Sequence, residues 1–185
     1  MIRAAVLAGL IAASFVPVAA WAASAQGQAE ATIIEPLVVT RLSDLDFGTV
    51  TLAPGTTGSV TIDPASGVRF GGGASAACLS GGDGCAVAHA SRFAVRGEAG
   101  RDYAVSAPAG LMASGTLLDG SPGIAPDLAI ASIRVRTHSR PNSGVSGTLD
   151  GNGRDIFDIG GALIVPAGTP AARYRAILPV IVTYS

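Results

Sequence analysis

The chain closes on Tyr174-Arg-Ala-Ile-Leu-Pro-Val-Ile-Val-Thr-Tyr-Ser185, in which Tyr174, Ala176, Leu178, Val180, Val182 and Tyr184 share one parity. Successive strand side chains point to opposite faces, so this spacing predicts a single alternating ribbon with one apolar face. Domain ends fray unless a sheet ties them down, so an apolar strand placed here is expected to belong to the core. A terminal strand of that kind suits assembly by strand exchange.

The other end carries a different message. Arg3 precedes a short apolar run from Ala4 to Val18, and small residues offer cleavage after Ala22 or Ala25. That order is the order of a removable export signal. The run is short for a membrane span and is interrupted by Ser14 and Pro17, and no lipid-attachment cysteine follows it. The expected product is one domain over residues 26–185, with no membrane span, exported to the periplasm, the cell surface or the medium.

Beyond the signal, eleven arginines stand against thirteen acidic residues, and the chain has no lysine. Lysine Schiff bases, P-loop lysines and Ser-Lys dyads are therefore excluded. The slight negative balance and the export signal argue against a nucleic-acid partner. The only tryptophan, Trp21, lies inside the signal, so the core must be built from Val, Ile, Leu and Ala with a few Phe and Tyr. A chain of this size buries roughly two-thirds of its unfolded surface and needs no metal or cofactor to fold.

Twenty-five glycines and eleven prolines punctuate short alternating runs. Val60 and Ile62 alternate with Ser59 and Thr61; Phe93 and Val95 with Arg92, Ala94 and Arg96. Tyr103, Val105 and Ala107 follow the Gly97–Gly100 turn, and Ile133 and Val135 alternate with Ser132, Arg134 and Arg136. Phe157, Ile159, Leu163 and Val165 lead through Pro166–Pro170 into the terminal ribbon. Short strands at this spacing predict an all-β, antiparallel sandwich with one buried and one wet face per sheet. The Gly-rich stretch 67–84 is expected to be an irregular loop, and residues 138–154 a second polar connection.

Several of these segments, in their order, resemble the DUF4402 family, a group of secreted bacterial proteins known only as a domain of unknown function. The resemblance rests on Leu45-Asp-Phe-Gly-Thr49, Gly58-Ser-Val-Thr-Ile-Asp63, Gly97-Glu-Ala-Gly-Arg-Asp-Tyr103, Leu163-Ile-Val-Pro166 and Pro170-Ala-Ala-Arg-Tyr174, then Val180, Val182 and Tyr184. It implies an immunoglobulin-like, pilin-like or spore-coat-like β-sandwich and an export route, and it supplies no catalytic residues. Ala172 stands where the family usually has Gly, and the Cys78–Cys85 insert is particular to this chain.

Cys78 and Cys85 bracket a glycine-rich loop, and two cysteines in an exported chain are expected to form one disulfide. Such a short loop contributes on the order of 2–3 kcal/mol. The spacing is not that of a Cys-x-x-Cys redox pair. His89 and His138 fall on different segments, and no Gly-x-Ser-x-Gly elbow places a nucleophile. Asp150, Asn152 and Asp155 form a weak calcium-loop candidate. Arg154 occupies a ligand place, so a tight Asx-Gly turn explains them better. Arg134, Arg136, His138 and Arg140 share one parity and predict either a solvated basic stripe or a contact with acidic polysaccharide or lipopolysaccharide. No enzyme, cofactor or metal is expected.

Two functions compete. In the first, the chain is a structural subunit, pilus-like or coat-like, whose sandwich lacks a strand. A neighbour's extended segment would fill the groove beside Tyr174–Tyr184. The donor would be the segment bearing Ala29, Ala31 and Ile33, and the partners further subunits with a periplasmic chaperone and an outer-membrane usher. Deleting residues 26–35 would then abolish assembly. In the second, the sandwich is self-complete and binds a ligand or cell-surface component as a monomer.

Overall fold

The computed structural model describes residues 28, 30–78, 86–120 and 123–185, and every strand falls within Ile34–Ser185, which forms one compact unit. Among the described residues there are thirteen strands and no helix. They are β1 (Val38–Ser43), β2 (Val50–Leu52), β3 (Gly58–Asp63), β4 (Gly67–Gly72), β5 (Ala74–Ala76), β6 (Ser91–Arg96) and β7 (Asp102–Ser106). Then come β8 (Leu111–Leu117), β9 (Ile124–Thr137), β10 (Ser146–Thr148), β11 (Arg154–Val165), β12 (Ala172–Arg175) and β13 (Ile181–Tyr184).

All pairings are antiparallel. The large sheet runs β1-β6-β11-β9-β8-β12, and β3 with β4 joins it beside the second half of β11. A three-stranded sheet, β10-β7-β13, and a two-stranded pair, β2-β5, complete the sandwich. The long strands β9 and β11 hold the large sheet together. Their register slips at Gly160/Ala162, beside Ser132 at φ 53°, a bulge that bends the sheet.

Alternation sets which side is core. On β11, Phe157, Ile159, Leu163 and Val165 are buried on one face, while Arg154 and Ile164 are exposed on the other. One cluster joins Val95, Phe157 and Ile159 of the large sheet to Tyr103 and Val105 of the small one; Phe93 stacks on Phe157 at 5.1 Å. A second gathers Ala113, Leu128, Ile130, Leu163 and Val165.

Two expectations need correction. The stretch from Gly67 is not a loop. It pairs along the whole of β3 as β4 and continues as β5, while residues 79–85 lie outside the described residues. Its glycines answer a close backbone approach: a Cβ on Gly72, at φ +62°, would sit 2.3 Å from the Thr57 carbonyl oxygen. The terminal ribbon is also not one strand. Residues 172–175 pair with β8 in the large sheet and residues 181–184 with β7 in the small one, with no strand between. Pro179, which has no N–H to give to a ladder, sits in the crossing.

Candidate functional site

The parity of the terminal ribbon survives its break. Leu178, Val180, Val182 and Tyr184 pack on the first core cluster and Tyr174 on the second, while Ala176 is exposed. Ile177 and Ile181, of the opposite parity, point to solvent. Among the described residues β13 pairs with β7 alone, so its other edge carries unpaired backbone groups. The same holds for β1, which pairs only with β6.

Tyr184 links one edge strand to the segment that leads into the other. Its hydroxyl accepts from the Glu98 amide at 2.8 Å and donates to the Glu35 carbonyl at 2.6 Å, tying the end of β13 to the chain entering β1. Gly97 leaves the room this requires. From there β1 runs out with little cover. Val39 shares the inward face with fully buried Val95 but is 39 % exposed, and Val38 and Leu42 are exposed as well. An apolar rim with free backbone groups is what an added strand would pair with.

The residues of the expected donor are placed less fully. Ala29 lies outside the described residues; Ala31 and Ile33 are exposed, and no strand includes them. Cys85 likewise lies outside the described residues, and so does the expected pairing with Cys78.

The polar residues fall into separate groups. Asp150 closes a turn, its carboxylate accepting from the amides of Asn152 and Arg154, each at 2.8 Å. Asp155 faces the other way and accepts from the Tyr103 hydroxyl at 2.7 Å and from Ser139. The three calcium-loop candidates therefore do not converge. Burial, followed by the Asp155 carboxylate beside it, pushes the Tyr103 phenol far up, so it remains a donor. Arg140 leaves the predicted basic stripe to pair with Asp102 at 2.8 Å, pinning the 138–148 connection to β7. The Thr148 hydroxyl, then Arg140, holds the Asp102 carboxyl below its ordinary range.

On the outer face of the large sheet, Asp158 is buried and forms the centre of an ion cluster. Arg92 donates Nε to Oδ1 at 2.8 Å and Nη2 to Oδ2 at 3.3 Å, and the His138 ring lies 2.8 Å from Oδ2. Burial alone would raise this carboxyl; the bonds from Arg92 and His138 outweigh it and hold it low. Asp158 and Arg92 also line a cavity of about 580 Å³ with Asp63, Ser43 and His89. His89 belongs to a bridge with Asp46, apart from His138. Arg92, Arg96 and Arg154 join Arg134 and Arg136 on this face. A one-strand parity count misses the grouping because the first three lie on two other strands.

A family model described as Domain of unknown function (DUF4402) matches residues 37–184. The chain belongs to the DUF4402 family. No curated protein and no solved structure matches it. The matched region runs from the residue before β1 to Tyr184, so both open edges and the hydroxyl joining them are part of the DUF4402 domain. Among the described residues no helix is long and apolar enough to cross a membrane.

Proposed function

We propose that this DUF4402 protein is a non-enzymatic, exported structural subunit, pilus-like or coat-like, that assembles by β-strand addition. One observation carries the reading: β13 and β1 are edge strands linked through the Tyr184 hydroxyl and Glu35, and Val38, Val39 and Leu42 of β1 and Ile181 of β13 are exposed. Exposed apolar edges are a hazard that a finished monomer normally blunts with charged side chains. Here the only charged side chain among β1 and β13 is Arg41, which is paired with Asp44.

The incoming strand is the segment around Ala29, Ala31 and Ile33 of another subunit, and Ile33, 96 % exposed, is its anchor. A leader over residues 1–25 delivers the chain to the periplasm, where a chaperone covers the edge until an usher passes it on. The Cys78–Cys85 disulfide forms there. Alkylation without reductant would leave both cysteines unlabelled in exported protein, whereas two labelled thiols would refute the bridge.

Assembly is tested with residues 26–185 and with a version starting at Ile34, which keeps the Glu35 carbonyl that Tyr184 uses. The longer chain forms heat-resistant ladders on unboiled gels and the shorter one stays a folded monomer. Ladders from both, or from neither when the genomic neighbours are co-expressed, contradict the proposal.

A further inference from the structure

The outer face of the large sheet places like charges where a sheet does not gain from them. Arg96 of β6 and Arg154 of β11 stand directly opposite each other, both exposed, and neither has an ion-pair partner among the described residues. Facing strands lie only about 4.8 Å apart, and like charges in opposed positions are destabilising. Farther along the same strands, Asp158 is flanked by Arg92 on one side and Arg136 on the other, with Arg134 beyond it. Asp158 is committed to Arg92 and His138, Asp63 lies close to Arg134, and Asp150, beside the Arg154 amide, accepts from the backbone of its own turn. The face thus holds more guanidinium charge than its own carboxylates answer.

We propose that this face binds an acidic polysaccharide, with a sugar carboxylate held between the guanidiniums of Arg96 and Arg154 and further carboxylates along the chain meeting Arg136. Charge complementarity supplies the attraction. Arginine forks match carboxylates in two parallel hydrogen bonds, a geometry lysine lacks. The rest of the surface argues for an extended soluble polyanion. Between the arginines lie half-buried Ala94 and Ile156; exposed apolar side chains of this face, such as Val38 opposite Arg96 and Ile164 at the far end of β11, stand singly, and no aromatic side chain occupies the outer positions of β6, β9 or β11. Membrane surfaces are engaged through inserted bulky apolar groups, and single-stranded nucleic acid through stacking aromatics. This site does not depend on strand addition, since it uses the opposite face of β6 and β11 from the core.

The test uses residues 26–185 and polygalacturonate, with neutral dextran, phosphatidylglycerol vesicles and duplex DNA as comparison probes. Binding to polygalacturonate is expected at low salt, to weaken as salt screens the charges, and to be absent with dextran. Arg96→Ser with Arg154→Ser weakens it by about tenfold or more, the loss of two charge-assisted contacts. Arg41→Ser, at an exposed pair elsewhere, leaves it unchanged. The double variant melts no lower than the parent, because it relieves a like-charge pair, so lost binding is not lost folding. No binding to polygalacturonate, equal binding by the double variant, or tighter binding to vesicles or DNA would overturn the assignment.

Discussion

The hydroxyl of Tyr184 donates to the carbonyl of Glu35 at 2.6 Å, joining positions 149 residues apart near the two ends of the domain. The same oxygen accepts from the Glu98 amide. Tyr184→Phe keeps the ring in the core but removes both bonds and leaves the part-buried Glu98 amide unmet, so it should cost about 1–2 kcal/mol in chemical denaturation. Tyr174→Phe is the contrast. The Tyr174 hydroxyl is buried without a hydrogen-bond partner among the described residues, and its loss should leave stability unchanged or raise it by up to about 1 kcal/mol. Equal losses in the two variants would contradict this division.

Gly97 shapes the place where Tyr184 docks. A Cβ there would stand 2.3 Å from the Tyr184 hydroxyl oxygen, 3.0 Å from Leu37 Cδ2 and 3.2 Å from Leu149 Cδ1. Gly97→Ala should therefore cost about 1–3 kcal/mol by overpacking. Because Tyr184→Phe removes the nearest of those atoms, the double variant should lose less than the sum of the singles. Strict additivity would show that the hydroxyl is not the obstacle.

Asp158 ties stability to pH. Its folded carboxyl titrates below the ordinary 3.8, so at mildly acidic pH the unfolded chain takes up the proton first. The stabilisation is complete above that ordinary value and disappears as pH falls through it to the lower folded value. Arg92 is half exposed, 51 % against 7 % for Asp158, so water screens part of the pairing. Asp158→Asn should cost about 2 kcal/mol at pH 7. The gap to the parent should close as both are taken below pH 3.8. A gap that stays constant with pH would show that packing, not charge, holds the site.

Much of the sandwich was legible because its strands alternate polar with apolar residues: 59–62, 92–96, 102–106 and the later part of β9 all lie where the period places them. β8 was not legible. Its inward positions include Ala113 and Gly115, and Gly115 is small because the Tyr174 ring covers it, with a Cβ there falling 2.5 Å from Cε1. No local pattern announces a residue shaped by a partner about sixty positions away. β4 was hidden for a related reason, its glycines reading as a loop until the backbone beside them is seen. The break in the terminal ribbon was signalled by Pro179, but the change of sheet is set by tertiary packing. The arginine face needed the sheet register, since Arg96 and Arg154 are neighbours only through the pairing of β6 with β11.

Assembly by strand addition requires an open edge, β1 or β13, to accept a strand from outside the chain. The most direct measurement is the melting temperature of residues 34–185 titrated with a synthetic peptide covering residues 26–35. A ligand that binds only the folded state adds about 2.7 kcal/mol at a hundredfold excess over its dissociation constant. The melting temperature should therefore rise with peptide concentration, and a peptide carrying Ile33→Asp should have no effect. A folded domain whose melting temperature ignores the peptide would contradict the account.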